Sequence, residues 1–148
     1  MGFFSFMIKL IMTVVLCVIF VKYFKPMQHN DVMTSAGVLS TVAGILFGFV
    51  LAAVSIFSSA SDRNDGIIHA LKKNNILQSI ISKLLSTGFT LILACVFPLI
   101  AMFLPAESYL FNVSIDFLFT IIGLSLLVIA IFSFVSCWRK LTWIIPHI

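Results

Sequence analysis

Three histidines, three cysteines and five carboxylates are among the side chains of this 148-residue chain that are able to ligate a metal, act as nucleophiles or carry protons. His29, His69 and His147 stand far apart, and no two share the three-to-five-residue spacing of paired zinc ligands. They read as surface residues. Cys17, Cys95 and Cys137 each sit inside an apolar run. An odd number of thiols without a CxxC pair argues for small buried hydrophobes rather than a disulfide framework or metal site. Asp116 opens an apolar run, where a carboxylate favours the positive end of a helix, so capping is its expected role. No nucleophile elbow, phosphate loop or HExxH pattern occurs. With no converging set of polar groups, the chain reads as non-enzymatic, without cofactor or metal.

The elements that carry these residues are dominated by hydrocarbon. Hydrophobic residues make up 61% of the chain and charged residues 9%, and the mean hydropathy is +1.22. Soluble chains hold about 45–50% and about 25% respectively, because only a bilayer penalises charge so heavily. A membrane domain is therefore expected over residues 1–148. Apolar runs fall at about 3–24, 35–58, 84–104 and 117–137, each long enough to cross roughly 30 Å of hydrocarbon as a helix. The expected fold is an all-α polytopic membrane protein of four transmembrane helices in an oligomeric bundle.

The first run is the most interrupted. Lys9 and Lys22 enclose Leu10 to Val21, about 18 Å of helix, so both lysines must snorkel outward for it to span. The second carries no charge and follows Asp31, Thr34 and Ser35, each a candidate N-cap. The third contains Pro98, which removes one backbone hydrogen bond and predicts a kink near Ala94 to Pro98; Ser79 to Lys83 is expected to extend it as a helical stem. The fourth ends in Trp138-Arg139-Lys140, an aromatic and basic interfacial anchor, and a short tail follows from Leu141. Residues 59–83 form the most polar connection, in which Asp65-Gly66 marks a turn and Ile67, Ile68 and Leu71 share one face of a short interfacial helix.

Basic residues set the expected orientation. Arg63, Lys72, Lys73, Lys83, Arg139 and Lys140 fall on one side, against Lys22 and Lys25 on the other. Short basic loops stay in the cytoplasm, which places both termini and the 59–83 connection on the cytoplasmic side. The same six residues are candidate contacts for a soluble cytoplasmic partner or for lipid headgroups. No direct nucleic-acid binding is expected from the net charge of +4.

Ser40, Gly44, Gly48 and Ala52 follow one another at intervals of four, around the GxxxG pattern Gly44-Ile45-Leu46-Phe47-Gly48. Such a stripe lets a second helix backbone approach closely. It fits an oligomer interface, including one that surrounds a pore, and also fits packing against another helix of the same subunit. No span carries an ionisable residue near its middle, which argues against an ion-coupled transporter.

The stretch Ala43 to Phe57, with Ser58 to Asp62 and Ala70-Leu71-Lys72-Lys73, resembles small four-helix membrane subunits of bacterial antiphage defence systems, the Kiwa type among them. The resemblance covers roughly residues 40 to 100 as a pattern of spans, a small-residue helix and a basic loop. It implies a homo-oligomer, such as a tetramer, that senses or perturbs the inner membrane and docks a soluble cytoplasmic partner. The alternatives are a stand-alone channel or holin-like pore, and a scaffold subunit of a larger membrane complex.

Overall fold

The computed structural model describes the backbone of residues 2–25, 28–61, 76–105, 109–110 and 113–144, with side chains for 7–25, 28–59, 78–105, 110 and 113–140. Four helices are present among them: α1 (Gly2–Tyr23), α2 (His29–Ser61), α3 (Ile76–Phe103) and α4 (Ile115–Ile144). Between α3 and α4 lies a two-stranded hairpin that the sequence reading does not anticipate. Its strands β1 (Tyr109–Leu110) and β2 (Val113–Ser114) pair antiparallel, Tyr109 opposite Ser114 and Leu110 opposite Val113.

The helices run beyond their apolar windows. At the start of α2 the Gln28 carbonyl accepts hydrogen bonds from the Asp31 and Val32 amides at 3.0 and 3.1 Å. Gln28 thus opens the helix, not Asp31, Thr34 or Ser35. Asp31 instead lies in the first turn, where its charge meets the exposed amide ends. Helix α3 includes the Ser79–Lys83 stem and passes through Pro98 without a break. It closes with a tight Leu104 N–H to Ala101 carbonyl bond of 3.3 Å, and Pro105 then blocks continuation. Helix α4 carries Leu141 to Ile144 as further helix, not as a separate tail.

Three helices are long and apolar enough to cross a membrane among the described residues: His29–Ser59, Gln78–Phe103 and Ile115–Lys140. They pack on one another, with α3 against both α2 and α4. Helix α1, of 22 residues, is shorter and rests mainly on α4. Its outer face, Ile8, Ile11, Met12, Val15 and Val18, is exposed apolar surface.

The interior is built from small residues seven apart. Ala36, Ala43 and Val50 point inward from α2; Thr87, Ala94 and Ala101 do so from α3; Gly123, Ala130 and Cys137 do so from α4. A seven-residue period keeps one stripe facing the same neighbour along nearly parallel helix axes, and alanine brings the backbones close. Buried hydroxyls bond back along their own helices. Thr87, Thr90, Thr120 and Ser125 each donate to the carbonyl four residues earlier at 2.9 Å. This satisfies them where water is excluded.

Candidate functional site

At one end of the bundle the N-termini of α2 and α4 are joined side chain to side chain. His29 Nδ1 lies 2.7 Å from Asp116 Oδ2, and the other carboxylate oxygen of Asp116 accepts the Phe117 amide at 2.8 Å. Asp116 is 3% exposed and His29 is 34% exposed. His29 is therefore not simply a surface residue: its ring is the counter-group of a buried carboxylate. Asp116 does bond to an amide of its own first turn, but its second carboxylate oxygen ties α4 to α2. Beside this clasp lies a cleft of about 370 Å³ between the helix ends, with Phe24 just after α1, Val32 and Val38 of α2, and Phe117 and Ile121 of α4 in its wall.

The three thiols have local roles. Cys17 lies 3.3 Å from Ser125 Oγ, across the contact between α1 and α4, and Cys95 lies 3.1 Å from Ser40 Oγ, across that between α3 and α2. Cys137 is buried, and all three are free. Lys9 Nζ donates to Ser86 Oγ at 3.0 Å, which ties α1 to α3. Among the described residues, no three His, Cys, Asp or Glu side chains converge on a point that could hold a metal ion.

The opposite end is basic. Lys83 near the start of α3 and Arg139 and Lys140 late in α4 are all exposed there, and Lys83 and Lys140 lie within each other's Coulomb field. The described acids, Asp31 and Asp116, belong to the far end. Arg63, Lys72 and Lys73 lie outside the described residues, in the segment that connects α2 to α3 at this same basic end.

The small-residue stripe of α2 divides. Ser40 is turned toward Cys95 inside the subunit, whereas Gly44, Gly48 and Ala52 are exposed. A methyl group built on Gly44 or Gly48 would meet no atom within 4 Å. Close packing inside the subunit is achieved elsewhere, by Ala36, Ala43 and Gly123 among others. Pro98 is buried against Gly123.

No family model, curated protein or solved structure matches this chain. What the arrangement offers is surface: an apolar belt, an open small-residue face on α2, and one cationic end.

Sequence reasoning missed the His29–Asp116 clasp, since 87 positions separate the pair. It also missed Gly123, although the seven-residue series Gly123, Ala130, Cys137 was available as a signal.

Proposed function

We propose that this chain is an oligomeric component of a bacterial inner membrane, acting in antiphage defence by docking a soluble cytoplasmic protein and sensing or perturbing the bilayer. The observation that carries the reading is the charge distribution: Lys83, Arg139 and Lys140 gather at one end, whereas at the other Lys22 and Lys25 are offset by Asp31 and Asp116. Under the positive-inside bias the basic end is cytoplasmic, together with Arg63, Lys72 and Lys73. A cationic face of this kind attracts an acidic protein surface. The exposed apolar face of α1 supports a fourth crossing, with Lys9 and Lys22 near its two ends. The open Gly44, Gly48 and Ala52 face supports self-association through α2. The resemblance to antiphage membrane subunits supplies the biological role.

The test is affinity purification of the solubilised protein from cells carrying its native neighbouring genes, with the mass of the complex measured. A defined oligomer holding a soluble neighbour supports the reading, and a bare oligomer counts against the docking step. A stand-alone pore is the second reading, favoured by the exposed hydroxyls of Thr41, Ser55 and Ser59 on α2. Conductance of the purified chain in planar bilayers separates it from the first.

A further inference from the structure

At the basic end, α2, α3 and α4 do not close completely. A cleft of about 190 Å³ remains, lined by Ile56 and Phe57 of α2, Leu84 of α3, and Phe134, Cys137 and Trp138 of α4. Its wall is hydrocarbon apart from the Cys137 thiol. Its rim is cationic, because Lys83 precedes Leu84, and Arg139 and Lys140 follow Trp138. Lys83 and Lys140 come from different helices, both are exposed at this end, and each lies within the Coulomb field of the other. The Trp138 indole stacks on Phe134 with ring centroids 6.4 Å apart, at the level where the apolar wall gives way to charge.

We propose that this cleft is a binding site for an anionic phospholipid of the adjoining leaflet, with an acyl chain against Phe57, Leu84 and Phe134 and the phosphodiester between Lys83 and Lys140. The chemistry selects that ligand over a soluble anion. A phosphodiester carries one negative charge on two free oxygens, so it accepts charge-assisted bonds from two ammonium groups at once and turns their repulsion into attraction. Free phosphate satisfies the lysines but leaves the hydrocarbon wall unfilled, whereas a lipid supplies both parts in one molecule. A headgroup with its own ammonium, as in phosphatidylcholine, brings a positive charge back beside the pair. Phosphatidylglycerol does not, so preference for net negative lipid is the signature. Arg139 and Trp138 at the same level suit the headgroup region, where basic and amphipathic aromatic side chains gather.

The inference requires only that these helices lie in a bilayer, and it goes beyond the proposed function. Its failure is distinguishable, because the co-purification experiment reads partner mass and is indifferent to lipid preference.

Trp138 is a built-in reporter. The chain holds two tryptophans, so Trp143→Phe leaves Trp138 alone. The full chain carrying that change, in detergent micelles, is titrated with phosphatidylglycerol or phosphatidylcholine brominated on matched acyl chains, since bromine quenches indole on contact. Half-maximal quenching is expected at a several-fold lower mole fraction of phosphatidylglycerol. In Lys83→Gln/Lys140→Gln the two lipids should quench at the same mole fraction with undiminished maximal quenching, and in Lys83→Arg/Lys140→Arg the preference should remain. Equal quenching by both lipids in the parent chain overturns the proposal, as does a preference that survives in the double glutamine variant. Relief by inorganic phosphate, beyond that by chloride at equal ionic strength, would assign the lysines to a soluble anion and also overturn it.

Discussion

Pro98 of α3 is seated against Gly123 of α4. A methyl group built on Gly123 would lie 2.6 Å from the proline Cδ and 3.3 Å from the Ala94 carbonyl oxygen. These two contacts are linked by chemistry. Pro98 has no N–H, so the Ala94 carbonyl loses its helical partner, and a side chain at position 123 would crowd that same oxygen. Proline in α3 and glycine in α4 therefore act as one unit that fixes where the two helices touch.

Gly123→Ala should destabilise the fold by about 1–3 kcal/mol, because the added methyl meets a rigid ring and a backbone oxygen that cannot swing away. Thermal unfolding of the solubilised protein measures it. In a Pro98→Ala background the same change should cost less, because the ring that it strikes is gone. Equal costs in the two backgrounds would show that the Ala94 carbonyl or the helix spacing, not the proline ring, sets the limit.

His29→Ala leaves the Asp116 carboxylate buried with only neighbouring donors of its own chain end. A hydrogen bond to a charged group contributes about 1.5–3 kcal/mol, and the one-third exposure of His29 lowers this to about 1 kcal/mol. His29→Gln keeps a donor and should retain most of the stability. Asp116→Asn should be milder than Asp116→Ala, since the amide oxygen still accepts from Phe117. Denaturation of all four variants in one detergent gives the ranking.

The helices were legible from sequence because apolar runs of this length have few other folds available, and Pro105 marks where α3 ends. Which face of each helix turns inward was not. In a soluble helix hydrophobicity separates core from surface, but here Ile45 and Phe49 point outward and Ala43 inward, so polarity carries no information about the face. Residue size carries it instead, in Ala36, Ala43, Ala94 and Ala130. The GxxxG pattern drew attention to Gly44 and Gly48, which sit just to one side of that inward stripe. The clasp was illegible for another reason: nothing local to His29 indicates a carboxylate 87 positions away.

Gly44→Leu and Gly48→Leu separate subunit folding from assembly. Neither added side chain meets an atom at its first carbon, so unfolding of the single subunit should change by no more than about 0.5 kcal/mol. Assembly through α2 should be lost, because a leucine at either position holds a second backbone away. Mass measurement in detergent reads the result. An unchanged oligomer in both variants would remove α2 from the interface.

Reversal of Lys72, Lys73 and Arg139 to Glu should abolish co-purification of the soluble partner while leaving oligomer mass unchanged. The interaction is electrostatic in this reading, so raising salt toward 1 M, where the screening length falls to about 3 Å, should weaken partner retention in the parent chain as well. Retention that is indifferent to both salt and charge reversal would exclude the basic end as the docking face.

Orientation follows from the same charges and can be tested without any partner. With the native cysteines replaced by serine, Glu107→Cys and Lys72→Cys place single thiols in the connections at opposite ends of the bundle. An impermeant maleimide applied to spheroplasts should label the first immediately and the second only after lysis, because basic connections are retained on the cytoplasmic side. Reversed labelling would invert the bundle and set Lys83, Arg139 and Lys140 toward the periplasm. The cytoplasmic docking reading would then fail. The lipid site would survive with its leaflet exchanged, since it depends on the Lys83–Lys140 pair and its apolar cleft, not on which side of the membrane they face.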